Sequence, residues 1–462
     1  FPFFRPSPTS NPSTPPLLAP RQTIHDRVQN MKPSLLSGMW LVNKPAGMVS
    51  RRVTDRLHAA LRPLLAGNGG VPTTRRARRS SGAVLRTGHV GTLDPLASGL
   101  LPLVTGSSTK LVDSLQVAPK TYKVGLLLGI QTETDDVAGQ VVEETDAARR
   151  RASEPRAIEA LLQSGRDRIG LACSALVGDR VHRPPAYSAK RVNGVRLYEL
   201  ARALASHRPG AVDTPADVYE STSLHGIITR RSRRRRRVPV PDSEEELQEA
   251  LQAGMAVAEK QIHVYESSLL DIDVAQRLIT FRATVSAGTY ARVLARELAA
   301  DLGVLGTCAS LERVEAAGEH LSAAVPIEII EADLARCASV EDFVESAYYF
   351  RPFSTLVQSL PHLLVSIRGA ETRDRFLSGA TTFVQPGNFV LENDLELPNF
   401  MESAESLKAT TGFQDGRVLT TIVDRAEQPV FTGFVKIMPE SALRSNVQMP
   451  PGSLVIKRSK EL

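Results

Sequence analysis

The hydrophobic positions between residues 120 and 340 follow two different periods. Three runs of strand length are rich in apolar, β-branched and aromatic residues: YKVGLLLGI (122–130), SLLDIDVA (268–275) and LITFRATVS (278–286). Three further runs carry apolar residues at spacings of three and four, the helical period: AIEALLQSG (157–165), VLARELAADLG (293–303) and PIEIIEADLA (326–335). The mixture predicts an α+β fold.

The pattern changes again from about residue 351. Short strand-like runs separated by turns follow one another: LPHLLVS (360–366), ETRDRFLSGATTFV (371–384), GRVLTTIVD (416–424), VFTGFVKIM (430–438) and GSLVIKR (452–458). Such spacing is typical of a small β-barrel, which we predict over 351–462. Residues 331–350 are predicted to be a linker.

Composition marks three segments that interrupt the alternation. Residues 1–38 are rich in proline and contain a single acidic residue, so we expect a disordered extension. Its arginine and serine content resembles an organellar transit peptide, which would direct the protein to mitochondria or plastids. An unstructured tail is the equal alternative and leaves a cytoplasmic or nuclear location open. The chain begins with Phe, which indicates that its true start is missing or was removed.

Two internal segments are predicted to be insertions. Residues 63–83 are rich in Gly, Ser, Pro and Arg, which indicates a flexible basic loop. Residues 203–260 contain the arginine run 230–237, followed by the acidic stretch DSEEELQEA. Like charges repel and remain solvated, so we expect this run to be disordered rather than part of a surface patch.

Charge and composition narrow the class of protein. The chain has 462 residues, a net charge of +6 and a pI near 9.3, which suits a polyanionic partner. It lacks an apolar run of membrane-spanning length. Its three cysteines, Cys173, Cys308 and Cys337, lie far apart without metal-binding spacing, so we expect reduced thiols and neither zinc nor a disulfide. Phosphate-binding glycine loops of the Walker or Rossmann type are also missing, and no cofactor is predicted.

The most informative stretch is GHVGTLDPLASGLL, residues 88–101. Gly88, Gly91 and Gly99 permit tight backbone turns, and Pro95 disfavours a helical conformation at Asp94. The pattern predicts a loop that presents one carboxylate in a fixed direction. Taken alone, an Asp-Pro within glycines is also ordinary turn chemistry.

These residues closely resemble the catalytic motif of the TruB family of pseudouridine synthases, which isomerise a uridine in the T-loop of tRNA. Further segments resemble other motifs of that family in the same order: 39–50, 120–130, 132–141, 187–202, 286–303 and 310–314. The resemblance implies a catalytic domain over 39–330, with a central mixed sheet and flanking helices. It also implies a PUA-like RNA-binding domain over 351–462, for which a plain β-domain without an RNA role is the alternative.

The resemblance assigns roles to residues that sequence alone would leave ordinary. Asp94 corresponds to the nucleophile, and Arg292 to the cation beside it. Tyr122 would stack on the uracil and take part in proton transfer at carbon 5. Tyr290 would line the base pocket, although without the motif each tyrosine would be read as a core residue. Whether Tyr290 and Arg292 face one side depends on the conformation of 288–292.

Three more residues match positions that contact the substrate in this family. His89 would occupy the space left by the flipped nucleotide, as a wedge rather than an acid or base. Leu311 would line the pocket and is otherwise a core leucine. Lys44 would give structural support or contact phosphate, and a solvated surface lysine is the alternative.

The implied function is isomerisation of uridine 55 in the T-loop, without metal, nucleotide or redox cofactor. The expected partner is the T-arm of tRNA, with no membrane, no obligatory protein partner and a monomeric enzyme. Two alternatives remain open. One is the catalytic subunit of a guide-RNA particle that modifies ribosomal RNA, and the other is an RNA-binding or tRNA-folding chaperone of the same fold.

Overall fold

The computed structural model describes most of residues 35–359 and six strands that follow. The described residues are 35–66, 85–206 without 143, 145, 189 and 193, 243–359 without 338 and 339, and the strands between 362 and 461. The arginine run 230–237 and nearly all of the predicted N-terminal extension lie outside them. Among the described residues, no helix has both the length and the hydrophobicity needed to cross a membrane.

One large mixed sheet organises the first part of the chain. Its strands are β1 (Gly38–Lys44), β2 (Thr87–His89), β3 (Ser98–Thr105), β4 (Lys120–Leu128), β5 (Gly178–His182), β8 (Lys260–Asp273), β9 (Leu278–Val285), β10 (Gly306–Ala316), β11 (Glu319–His320), β12 (Val325–Pro326) and β13 (Phe350–Pro352). The main path runs β12-β1-β3-β10-β4-β9-β8-β5. The β1–β12 and β3–β10 pairs are parallel, whereas neighbours such as β4–β10 and β4–β9 are antiparallel. A short hairpin of β6 (Arg191–Val192) and β7 (Val195–Arg196) lies outside this sheet.

Helices accompany the sheet. They are α1 (Ser50–Ala66), α2 (Val112–Val117), α3 (Ala147–Ala152), α4 (Pro155–Ser164), α5 (Arg166–Ser174), α6 (Leu197–Ser206), α7 (Glu244–Val257), α8 (Ala291–Asp301), α9 (Ile327–Arg336), α10 (Val340–Ser346) and α11 (Phe353–Ser359). Helix α8 buries one face, including Leu294, Ala295 and Leu298, in the core of the sheet. The predicted α+β fold with a central mixed sheet is confirmed.

The segment 331–350 was predicted to be a linker, but it packs against the first sheet. It contributes the end of α9, the helix α10 and the start of β13, which pairs with β1. Trp40 is fully buried, and its ring lies 5.5 Å from that of Phe343 and 4.6 Å from that of Phe350. These aromatic contacts attach the segment to the first sheet, because they bury large apolar surfaces that a linker would leave in water.

The two predicted insertions are partly ordered structure. The first four residues of 63–83 complete α1, and the rest lies outside the described residues. Within 203–260, the acidic stretch forms α7, which begins where the Ser243 side chain accepts a hydrogen bond from the Glu246 amide. Leu247 and Leu251 of α7 then pack with α6 in a small separate core. The prediction treated this stretch only as charge and missed its helical period.

The C-terminal strands form a second sheet. They are β14 (His362–Ser366), β15 (Thr382–Val384), β16 (Phe389–Glu392), β17 (Arg417–Val423), β18 (Pro429–Ile437) and β19 (Leu454–Glu461). Their order is β15-β19-β18-β17-β14-β16, with β14 and β17 parallel. The runs predicted as strands therefore contain strands, whereas closure into a barrel and a role in RNA binding stay predictions.

Candidate active site

The loop that carries Asp94 connects β2 to β3 and is fixed from two sides. The Ser50 side chain, at the start of α1, donates to the carbonyl of Leu93 at 2.8 Å and accepts from its amide at 2.9 Å. The amide of Gly47 donates to the carbonyl of Pro95 at 2.7 Å. Both backbone neighbours of Asp94 are thus anchored, which gives its carboxylate a defined direction.

Lys44 supports this loop through hydrogen bonds to backbone carbonyls. It is fully buried, and its Nζ lies 2.6 Å from the carbonyl oxygen of Met48 and 3.4 Å from that of Pro95. Burial lowers the pKa of Lys44 to about 8, against the opposing effect of the Asp94 carboxylate. A fully buried ammonium does not fit the alternative of a solvated surface lysine, and its hydrogen bonds to two carbonyls favour structural support of the loop. Contact with substrate phosphate stays a prediction.

Arg313 fixes the other end of the loop. Its guanidinium is almost fully buried and donates from Nε to the carbonyl of Leu100 at 2.8 Å and from Nη2 to that of Gly91 at 3.1 Å. Gly99, at a φ of 99°, lies so close to the backbone of Arg313 that a Cβ would be 2.4 Å from its carbonyl oxygen. A glycine is therefore required there. The sequence analysis did not single out Arg313, although the segment 310–314 contains it.

Asp94 and Arg292 meet in an ion pair, as predicted from the family motifs. Nε of Arg292 lies 2.9 Å from Oδ2 of Asp94. The Asp94 side chain is 35% exposed, whereas that of Arg292 is 3% exposed. An accessible carboxylate thus rests on a buried cation, which orients it.

A second carboxylate, which the sequence analysis missed, binds the same guanidinium. Asp136 lies with Oδ2 3.1 Å from Nη1 of Arg292 and is 1% exposed. Its other oxygen, Oδ1, accepts from the Thr134 hydroxyl at 2.7 Å and the Ala138 amide at 3.0 Å. The signal was present in the matched segment 132–141, but its two adjacent aspartates could not be told apart by sequence.

The two predicted pocket tyrosines belong to different elements. Tyr122 on β4 pairs with Arg313 on β10, and Leu311 is two positions before Arg313 on that strand. These three side chains share one face of the sheet, because paired residues of antiparallel strands point the same way. Tyr122 and Leu311 are both nearly buried. The shared face continues to the Asp94 loop, which Arg313 binds.

Tyr290 lies immediately before helix α8. It is extended, with φ −100° and ψ 106°, while Arg292 belongs to the first helical turn. The segment 288–292 is therefore neither wholly extended nor wholly helical, because the helix begins between Tyr290 and Arg292. Burial raises the pKa of the Tyr290 hydroxyl, and the nearby Asp94 carboxylate raises it further. Tyr290 and Arg292 thus both lie near the Asp94 carboxylate.

His89 is half-buried beside the loop. Its Nε2 lies 3.0 Å from the hydroxyl oxygen of Thr92. Burial lowers the pKa of His89, and the positive charges of Arg313 and Arg51 lower it further. A neutral imidazole at this place is compatible with the predicted wedge, which stays a prediction.

Carboxylates are the reactive groups that this arrangement offers. Within the described part of the chain, no cluster of three or more His, Cys, Asp or Glu side chains has the arrangement of a metal site. The described site combines an accessible carboxylate and a buried cation, with Tyr290 beside them. It can supply a nucleophile.

The sequence of this chain is similar to those of known pseudouridine synthases. The model of the TruB family pseudouridylate synthase N-terminal domain matches residues 78–220. The chain is 30% identical over 279 residues to tRNA pseudouridine synthase B of Levilactobacillus brevis, covering 60% of this chain and 71% of that relative. With tRNA pseudouridine synthase B of Chlorobaculum tepidum it shares 30% identity over 270 residues, covering 58% and 86%. A crystal structure of a Cbf5-Nop10-Gar1 complex superposes with a TM-score of 0.46 at 17% identity, over 92% of this chain and 85% of that one.

Proposed function

This chain belongs to the TruB family of pseudouridylate synthases, and we propose that it isomerises uridine 55 in the T-loop of tRNA to pseudouridine. The observation that carries the proposal is the ion pair of Asp94 and Arg292. The Asp94 carboxylate is accessible and lies 2.9 Å from a buried guanidinium, and the residues on both sides of Asp94 are held by hydrogen bonds to their backbone. The names of the relatives support tRNA as the substrate.

The reaction exchanges one bond between base and sugar for another. The bond from the sugar to the uracil nitrogen breaks, the base turns, and a bond from the sugar to carbon 5 forms. Asp94 is the nucleophile that holds the covalent intermediate while the base is detached. A carboxylate is ionised at neutral pH without a separate base, so it needs placement more than activation. The proton lost from carbon 5 is balanced by one taken up at the uracil nitrogen that left the sugar, so the isomerisation involves no net gain or loss of protons or electrons.

The target uridine must leave the RNA stack before Asp94 can reach it. Tyr122 would stack on the extruded uracil, while Tyr290 and Leu311 line the same pocket. His89 would fill the gap that the nucleotide leaves in the loop. The half-buried, uncharged state of this imidazole suits insertion between bases better than a solvated cation would.

The enzyme would act alone, as a monomer that binds the T-arm. The test is to incubate the purified chain with unmodified tRNA transcript or with a T-arm stem-loop, without metal or nucleotide, and to map pseudouridine by carbodiimide modification and primer extension. We expect a stop at position 55 in both RNAs. A transcript with cytidine at that position is the matched control and should give none. Activity that required a guide RNA and partner proteins would contradict this proposal and favour the ribosomal RNA alternative.

A further inference from the structure

A buried histidine binds the backbone next to the site. His182 is the last residue of β5 and is 2% exposed, and its Nε2 lies 3.2 Å from the carbonyl oxygen of Tyr290. The two rings are nearly parallel, at 15°, with centroids 6.3 Å apart. Because a carbonyl oxygen only accepts, His182 carries a proton on Nε2 and donates it.

Burial, more than the charges around it, keeps His182 neutral. Its Nδ1 lies 3.8 Å from Oε1 of Glu297 on α8, and the guanidinium groups of Arg180 and Arg296 are also near. Burial lowers the pKa of His182 to about 4, although the hydrogen bond with Tyr290 opposes this effect. At neutral pH it is therefore an uncharged donor with one defined tautomer.

The segment that follows His182 contacts the other groups of the site. The carbonyl of Tyr187 accepts a hydrogen bond from Nη2 of Arg292 at 3.3 Å. Residues 182–188 thus hold the backbone of Tyr290 and, two residues further on, the guanidinium of Arg292. A shift of Tyr290 would move the first turn of α8 and change how Arg292 meets Asp94.

We propose that His182 is a positioning residue for pseudouridine formation, which holds Tyr290 so that α8 presents Arg292 to Asp94. His182 does not touch the reacting atoms and acts through Tyr290. The inference rests on the proposed function, because it assigns His182 a part in that reaction.

Two substitutions separate the hydrogen bond from the packing of the ring. His182→Gln keeps an N–H donor without the ring, and His182→Phe keeps the ring without a donor. We expect the single-turnover rate constant at saturating tRNA to fall roughly tenfold in His182→Phe, the effect of one lost hydrogen bond to a fixed carbonyl. His182→Gln should retain most of the rate, and tRNA affinity should change little in either variant. His263→Gln is the matched control, since that histidine is exposed and paired with Asp179.

A double-mutant cycle shows whether His182 acts by positioning Arg292. In an Arg292→Ala background, His182→Phe should cause no further fall in the rate constant, because the guanidinium that His182 helps to place is already absent. Full additivity would overturn the proposal. So would equal losses in the Gln and Phe variants that follow their thermal stability, which would indicate a purely structural residue.

The same assay separates this proposal from the proposed function. If the wild-type chain forms no pseudouridine in tRNA, both fail. If the wild type is active and His182→Phe matches its rate constant, only the positioning role fails. A loss in His182→Phe that His182→Gln largely restores supports the proposal.

Discussion

The carboxylates of Asp94 and Asp136 bind two different nitrogen atoms of one guanidinium, that of Arg292. Asp94 remains 35% exposed, whereas Asp136 is 1% exposed and has its second oxygen occupied by Thr134 and Ala138. Asp136 therefore has no oxygen left for a substrate. Its place in the structure is that of an anchor, which fixes the plane of the guanidinium and so the direction from which Arg292 meets Asp94.

Replacing the anchor should damage catalysis without touching the substrate. Asp136→Asn removes one of two anions from a buried guanidinium, and we expect turnover to fall about 10- to 100-fold through misplacement of Asp94. The free energy of unfolding should decrease by about 3 kcal/mol. Asp135→Asn is the matched control, because its carboxylate pairs with Arg296 at 2.9 Å instead. That variant should lose stability but keep turnover per folded molecule, and an equal loss of turnover would contradict the anchoring role.

The nucleophile is tested by a nearly isosteric change. Asp94→Asn keeps the size and hydrogen-bonding capacity of the side chain, but an amide is a very poor nucleophile. We expect pseudouridine formation to fall below detection while tRNA affinity changes little, since phosphate and loop contacts supply most of the binding. Primer extension measures the first, and filter binding the second. Substantial remaining product would remove Asp94 from the mechanism. Arg292→Ala should impair turnover less completely, because the carboxylate remains.

The hydroxyl of Tyr122 is separable from its ring. Tyr122→Phe retains stacking on uracil, so tRNA affinity should be unchanged. If the hydroxyl assists proton transfer at carbon 5, the single-turnover rate constant should fall about 100-fold or more. Tyr265→Phe, at an exposed tyrosine of β8, is the matched control. A full rate in Tyr122→Phe would reduce Tyr122 to a stacking platform.

The sequence analysis identified the parts of the site that one short motif specifies. The Asp94 loop was predicted correctly because three glycines and a proline constrain the backbone locally. The anchor Asp136 was missed because its role depends on a contact with Arg292, 156 residues away. Sequence alone gives no distance across such a separation.

The same limit explains two further differences. Lys44 could equally have been a surface lysine, since only the position of β1 inside the sheet shows that its ammonium is buried. Residues 331–350 were predicted as a linker, because the helical period found in 326–335 does not continue beyond residue 335. They are attached to the sheet because Phe343 and Phe350 pack on Trp40, a contact that no local sequence pattern predicts. The fold class needed only periodicity and was predicted correctly.

Lys44 provides a test that separates support of the loop from contact with RNA. Lys44→Met keeps the apolar stem but removes the donor to the carbonyls of Met48 and Pro95. We expect turnover to fall about tenfold, because the Asp94 loop loses one anchor. The salt dependence of tRNA binding should be unchanged. A slope lowered by about 0.9 would instead show that Lys44 neutralises a phosphate. Lys123→Met, at an exposed position of β4, is the matched control for overall charge.

The pH dependence of stability tests the neutral state of His182. Its pKa is lowered from 6.5 to about 4, so the unfolded chain binds a proton at higher pH than the folded one. The stability that this residue contributes is therefore fully present above about pH 6.5 and is lost as the pH falls toward 4. Burial raises the pKa of Glu297, which has the opposite effect on stability in an overlapping range.

Comparison with His182→Gln isolates the histidine, because Glu297 and the neighbouring arginines remain in both proteins. The wild type should lose up to about 3 kcal/mol more than the variant between pH 7 and pH 4.5, the value of roughly two pKa units. Denaturant unfolding at pH 7, 5.5 and 4.5 measures the difference. If wild type and variant lose stability in parallel over this range, His182 titrates alike in the folded and unfolded chains. It would then not be the buried neutral donor that the contact with Tyr290 requires.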